Sequence, residues 1–119
     1  MYKRQIYASN LNCPPAFVKD SQVENSLISE GTKIVGARIK NSILGRGVKI
    51  ENDVVIEDSI ILDFTKIKKG CRVKLAIIDR FNIIEENTYI GYDKKRDKNS
   101  YYVDSSGIVV VKRGSRKIS

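Results

Sequence analysis

Apolar residues recur along this chain at spacings of two and six. Val23-Glu24-Asn25-Ser26-Leu27-Ile28 returns as Ile39-Lys40-Asn41-Ser42-Ile43-Leu44 and as Ile56-Glu57-Asp58-Ser59-Ile60-Ile61. A weaker copy is Val73-Lys74-Leu75-Ala76-Ile77-Ile78. The repeat is about 17 residues, near three hexapeptides and short for a solenoid. After Ile28, Leu44, Ile61 and Ile78 the next aligned aliphatics are Ile34, Ile50, Ile67 and Ile84; a third set is Ile39, Ile56, Val73 and Ile90. A small or β-branched residue stands two places before nearly all of them, among them Ser26, Thr32, Val48, Val54, Thr65, Cys71 and Thr88. Spacing of two puts both side chains on one face of a strand. Spacing of six leaves no room for a strand, a helix and a return, so the chain must turn a corner each time. The pattern predicts an all-β fold, a triangular parallel β-helix of about four coils over residues 23–91. Its large aliphatics stack inside, with the small residues near the corners. Each buried aliphatic contributes roughly 1.5–3 kcal/mol. That offsets the ordering entropy only once several coils stack.

The polar positions support the same register. Glu24, Lys40, Glu57 and Lys74 form one outward column, placing each charge about 4.8 Å from an opposite one in the next coil. The column Lys33, Lys49, Lys66, Ile83 stacks three like charges, either a solvated face or a basic strip for phosphate or carboxylate. Gly31, Gly36, Gly45, Gly47 and Gly70 fall at or near expected corners, where φ can be positive. Gly45-Arg46-Gly47 weakly matches a phosphate loop, but its flanks are strands, and a corner turn explains it better.

Outside the repeat, residues 6–22 read as an extended lead-in with a partial first coil, Cys13-Pro14-Pro15-Ala16 forbidding a helix. Residues 92–119 read as a charged loop, two terminal strands in a hairpin around Asp104-Ser105-Ser106-Gly107, and a basic tail. The opening Met1-Tyr2-Lys3-Arg4-Gln5 matches the in-frame translation of a common sequencing-library adapter. Residue 6 is then the expected native start of a piece of a longer chain.

Net charge is +8, with a pI near 9.6. The Lys and Arg are spread through every coil without a stacking platform of aromatics, so nucleic-acid binding is not expected. No run approaches about 18 apolar residues and no signal-peptide pattern precedes the repeat, so no membrane role is expected and the expected location is the cytoplasm. Cys13 and Cys71 have no metal-binding spacing; Cys71 is expected to fill space inside a coil. The chain has no histidine. Hexapeptide-repeat acyltransferases need a His base, and hexapeptide-repeat carbonic anhydrases need His ligands on zinc. Neither chemistry fits. No nucleophile–base pair is present, and Asp79 beside Arg80 reads as a surface ion pair. No catalytic, cofactor-binding or metal-binding residue is assigned, and the chain alone is expected to be inactive.

Several segments resemble one family. Tyr7, Pro14-Pro15-Ala16-Phe17-Val18, Asn25-Ser26-Leu27-Ile28-Ser29, Glu57-Asp58-Ser59-Ile60-Ile61-Leu62, Ile77-Ile78-Asp79-Arg80, Ile90-Gly91 and Ser106-Gly107-Ile108-Val109-Val110-Val111 look like the C-terminal β-helix of bacterial glucose-1-phosphate adenylyltransferases. The resemblance runs from residue 6 to about 114 and is most specific from Ile78 to Val111. It implies a left-handed helix, a hand that periodicity alone does not fix and that runs against the usual crossover rule. It also implies a parent enzyme making ADP-glucose and pyrophosphate from ATP and glucose 1-phosphate with Mg²⁺, for glycogen synthesis. The catalytic N-terminal domain of that parent is missing here. In the family this β-helix packs on the catalytic domain, contributes to tetramer assembly, with a homo-oligomer expected but a second subunit type left open, and supplies part of the pocket for a phosphorylated effector. The effector-phosphate contacts carried over by resemblance are Arg80, Arg113 and Lys117. Lys112 stands where relatives frequently carry Pro, which leaves open whether Lys112 or Arg113 enters the pocket. Two other readings stay open, the β-helix of another sugar-nucleotide pyrophosphorylase and a stand-alone hexapeptide scaffold. The upstream reading frame separates them.

Overall fold

In the structure, a computed structural model describing residues 16–114, the repeat becomes a three-sided prism. The chain visits three sheets in turn, lap after lap, giving two sheets of five strands and one of six. Each strand pairs in parallel with its counterpart one lap away, as in Lys33↔Lys49, Ile39↔Ile56 and Leu44↔Ile61. The architecture is the expected single-stranded parallel β-helix, consistent with left-handed winding. Ile34, Ile50, Ile67 and Ile84 pile up on the inside of the first sheet, and Ile39, Ile56, Val73 and Ile90 on the inside of the second. All eight are buried. The first lap opens at the strand Phe17–Lys19, which pairs with Lys33–Val35. The adapter-like residues, the Pro14-Pro15 lead-in and Cys13 lie outside the described residues.

The small residues near the corners satisfy polar groups as well as filling space. Ser26, Ser42 and Ser59 each donate to the carbonyl two residues back, at 2.7–2.8 Å. Each also accepts the backbone N–H one lap on, from Ser42, Ser59 and Ala76 at 3.0–3.2 Å. In the other columns Thr32, Thr65 and Cys71 donate to the carbonyls of Gly45, Asp79 and Glu85. Such pairing is what allows a buried hydroxyl. Cys71 is fully buried, as expected, and burial raises its thiol pKa.

Each corner carries one residue per lap in the left-handed backbone region. The columns are Asp20, Gly36, Asp53, Gly70, Asn87; then Asn25, Asn41, Asp58, Leu75; then Gly31, Gly47, Phe64, Phe81. Gly, Asn and Asp tolerate this region, whereas Leu and Phe rarely enter it. Of the glycines expected at corners, Gly45 does not have a positive φ. The first corner is also one residue shorter at Gly36, from Lys33 to Arg38, than at Asp53, from Lys49 to Val55.

The three outer faces differ. The first bears Lys33, Lys49 and Lys66, with Lys66 3.6 Å from Glu51. The second bears the Glu24–Lys40–Glu57–Lys74 column in the expected register. None of these neighbours closes into an ion pair, a modest loss because exposed pairs contribute little. The third face is aliphatic, with Leu27, Ile43, Ile60, Ile77 and Val110 in one outward column.

Two features beyond Ile90 were not legible as the structure has them. The stretch read as a charged loop contains a helix, Lys94–Ser100. Asp93 caps it by accepting from the Lys95 and Arg96 N–H groups, and Asp97, buried to 2% exposure, accepts the Gly91 N–H at 3.0 Å. Gly91 is obligatory there, because a Cβ would collide with the Lys74 carbonyl oxygen. After the helix, Tyr102–Val103 pairs antiparallel with Val109–Val111, the expected hairpin. Val109–Val111 in turn pairs parallel with Ala76–Ile78, so the insertion ends and the third sheet resumes.

Ile67→Ala should destabilise the chain by about 2–5 kcal/mol. Ile83→Ala, 54% exposed on the same sheet, should stay within about 0.5 kcal/mol of wild type. Urea unfolding followed by circular dichroism checks both. Asp97→Ala leaves the Gly91 N–H without its partner and should cost about 1–3 kcal/mol, read by the same unfolding curves.

Candidate anion-binding corner

The third corner is where the aliphatic face turns into the lysine face. Ile28, Leu44, Ile61, Ile78 and Val111 stand in register on the strands leading into it. Two residues further along each lap, Glu30, Arg46, Asp63, Arg80 and Arg113 therefore form a column. Backbone bonds carry the register round the turn: Gly47 N–H to Glu30, Phe64 to Arg46, Phe81 to Asp63 and Gly114 to Arg80, at 2.8–3.2 Å. Acid and base alternate up this column, and Arg46 lies 3.9 Å from Asp63. The alternation then fails. Arg113 sits on the lap next to Arg80, where the pattern calls for a carboxylate. Like charges in adjacent register repel, and an anion between them converts repulsion into two charge-assisted contacts.

The local geometry leaves both cations accessible. The Arg80 side chain is 50% exposed, with Nε 3.9 Å from Asp79 Oδ1, the expected surface pair. That same carboxylate oxygen accepts the Arg80 backbone N–H at 2.7 Å. Arg113 is exposed and has no carboxylate within ion-pair distance among the described residues. Its guanidinium carbon lies 5.2 Å over the ring of Phe81. Asn82 clamps the two laps together, its Nδ2 donating to the Asp79 carbonyl at 2.9 Å and the Lys112 carbonyl at 2.8 Å. Gly114 permits the close approach, since a Cβ there would overlap the Phe81 carbonyl oxygen.

Register thus brings Arg113, not Lys112, alongside Arg80. Lys112 aligns with Asp79 and lines a groove beside Lys98–Tyr102. Lys117 lies outside the described residues. Gly45-Arg46-Gly47 is a corner turn; Asp63 already fills it, accepting the Arg46 N–H at 2.9 Å. The sequence reading missed Phe64 and Phe81, whose rings stack at 5.8 Å and 8°. A signal was present: stepping the corner glycines Gly31 and Gly47 forward by one lap, then two, lands on these phenylalanines.

The hairpin that delivers Arg113 depends on Asp104. Its Oδ1 accepts from Ser106 Oγ at 2.7 Å, Ser106 N–H at 2.9 Å and Ile108 N–H at 3.1 Å. The Ser106 hydroxyl bond, then the Ile108 N–H, hold this carboxyl below its ordinary value. Among the described residues no group of three or more His, Cys, Asp or Glu is placed to hold a metal ion. Nor is any helix of the described residues long and apolar enough to cross a membrane. The corner presents two guanidinium groups on adjacent laps.

A family model described as GlmU-like, C-terminal hexapeptide matches residues 14–111. Among similar proteins, the glucose-1-phosphate adenylyltransferase of Thermodesulfovibrio yellowstonii is 37% identical over 93% of this chain and 27% of its own length. That of Photobacterium profundum is 36% identical over 98% of the chain and 30% of its own length. That of Alteromonas mediterranea is 40% identical over 95% and 28%. The chain therefore spans less than a third of the length of these relatives.

A carboxyl held below its ordinary value stabilises the fold above the unfolded pKa, and that contribution is lost as pH falls through the folded value. The Asp104 turn should therefore loosen only in acid, below the ordinary 3.8 of an Asp carboxyl. Protection of the Ser106 and Ile108 amides, relative to their intrinsic exchange rates, should fall there, and Asp104→Ala should lack that protection at every pH.

Proposed function

Because the chain belongs to the GlmU-like, C-terminal hexapeptide family, we propose that it is the regulatory and assembly β-helix of a glucose-1-phosphate adenylyltransferase whose catalytic part lies outside this chain. The observation that carries the reading is the break in the charge column, which sets Arg113 beside Arg80 on an exposed corner. The relatives share the name glucose-1-phosphate adenylyltransferase, and in this reading the parent converts ATP and glucose 1-phosphate to ADP-glucose and pyrophosphate, in the cytoplasm and toward glycogen. This chain contributes control. A phosphorylated effector held by Arg80 and Arg113, with Lys117 from the tail, biases the parent toward its active state by binding that state more tightly.

The aliphatic face fits the second half of the role. Leu27 and Ile43 are 67% and 44% exposed at the head of an unbroken apolar column, on a chain otherwise rich in charge. Such a face calls for a cover, and we assign it to the catalytic part of the parent, which in this reading lies in the more than two thirds of the relatives' length that this chain does not span. The parent is a tetramer in this reading. The GlmU-like description of the family favours one competing reading, the β-helix of another sugar-nucleotide pyrophosphorylase. Substrate tests on the full-length enzyme separate the two.

By itself the chain should release no pyrophosphate from ATP and glucose 1-phosphate in a coupled phosphate assay; reproducible turnover would overturn the assignment. In the full-length enzyme, Arg80→Ala and Arg113→Ala should each raise the concentration of phosphorylated effector needed for activation by about tenfold or more, the loss of a charge-assisted contact. Activation curves that superimpose on wild type would remove the corner from the regulatory site.

A further inference from the structure

Arginine is a long, rotamer-rich side chain, and an exposed one spends most of its time away from any single geometry. Arg113 is held instead. Its guanidinium lies over Phe81 at 5.2 Å, Phe81 lies over Phe64 at 5.8 Å, and a Cβ on Gly47 would come within 2.6 Å of the Phe64 ring. The stack has an unusual foundation. Phe64 and Phe81 both occupy the left-handed region, at φ 58° and 62°, where the two earlier laps use Gly31 and Gly47. Bulky residues avoid that conformation unless the surroundings impose it, and such strain gathers at functional sites. Core packing does not account for it, because Phe64 is 53% exposed and belongs to no part of the buried cluster.

We propose that Phe81, backed by Phe64, is a positioning residue that holds the Arg113 guanidinium flat, so that Arg113 and Arg80 together present a preorganised fork to a phosphate group. The inference rests on the anion-binding reading of the corner and adds to it. A guanidinium stacked by its face keeps its edge N–H groups free, and those are the groups that bind phosphate oxygens in pairs. Preorganisation raises affinity by removing the ordering cost that binding otherwise carries. Phe81 thereby acts without touching the ligand. Gly114 and Asn82 hold the two laps together at this corner, so the two arginines stand on adjacent laps.

The test is a titration of the 119-residue chain with inorganic phosphate at constant ionic strength, following the arginine Nε–Hε signals by NMR. Arg80 and Arg113 should shift saturably in wild type. Arg113→Ala should abolish the Arg80 response or weaken it strongly. Phe81→Tyr, which keeps the ring, should bind like wild type. Phe81→Leu, which keeps apolar bulk but removes the π face, should weaken binding by about two- to fivefold, the worth of an exposed cation–π contact. The Arg113 side-chain protons should show upfield ring-current shifts in wild type that disappear in Phe81→Leu. If Arg113→Ala weakens binding but Phe81→Leu does not, the positioning role is wrong and the anion site stands. If phosphate moves neither arginine, the anion site fails and the positioning role with it. Should Phe81→Leu not fold, Arg113→Lys takes its place. It keeps the charge without the planar group, and undiminished affinity in that variant overturns the proposal.

Discussion

Strand by strand, backbone N–H groups reach across to carbonyls on the neighbouring lap, and this lap-to-lap hydrogen bonding governs the rest of the molecule. It holds every residue at a fixed height above its counterpart, so a position in one lap inherits the demands of the whole column. The large inward columns are aliphatic throughout, because a long polar side chain there would be buried without a partner, whereas the small residues beside the corners reach backbone partners. A corner column must supply a residue tolerant of left-handed backbone. The serine column shows how completely the constraint is used: Ser42 and Ser59 each close one bond within their own lap and accept another from the next.

Outward columns are freer, and there the laps diverge into three different faces. Charge is confined largely to two of them, while Leu27, Ile43, Ile60, Ile77 and Val110 make the third apolar. The sharpest departure comes where the prism resumes after its inserted helix. Val109–Val111 docks on Ala76–Ile78 as one more rung, and that docking alone carries Arg113 to Arg80. A surface that alternates charge for stability and then stops doing so breaks a local rule, and such breaks concentrate at functional sites.

The parts of the fold legible in the sequence are those that repeat. Ile34, Ile50, Ile67 and Ile84 announce their column because burial admits few substitutes. Register then follows, down to Glu24 opposite Lys40. The Lys94–Ser100 helix is different. It occurs once, its residues are nearly all charged or polar, and it has no apolar period to read; a cap at Asp93 and the buried carboxylate of Asp97 make it. Arg80 and Arg113 were reached by resemblance, and only the pairing of Ile78 with Val111 turned two distant cations into neighbours. Phe64 and Phe81 were hidden because a phenylalanine in a glycine column contradicts propensity, so composition argued against the backbone they adopt.

The short corner at Gly36 carries an evolutionary consequence. Lys33 and Arg38 still meet Lys49 and Val55 in register although the path between them is one residue shorter. Length differences are thus absorbed at an edge of the prism while the stacked columns keep their register. Genetic insertions and deletions can accumulate at such vertices, even ones as large as a whole helix, while the sheets keep count. A scaffold of this kind is free to acquire new loops, and with them new ligands, without renegotiating its core.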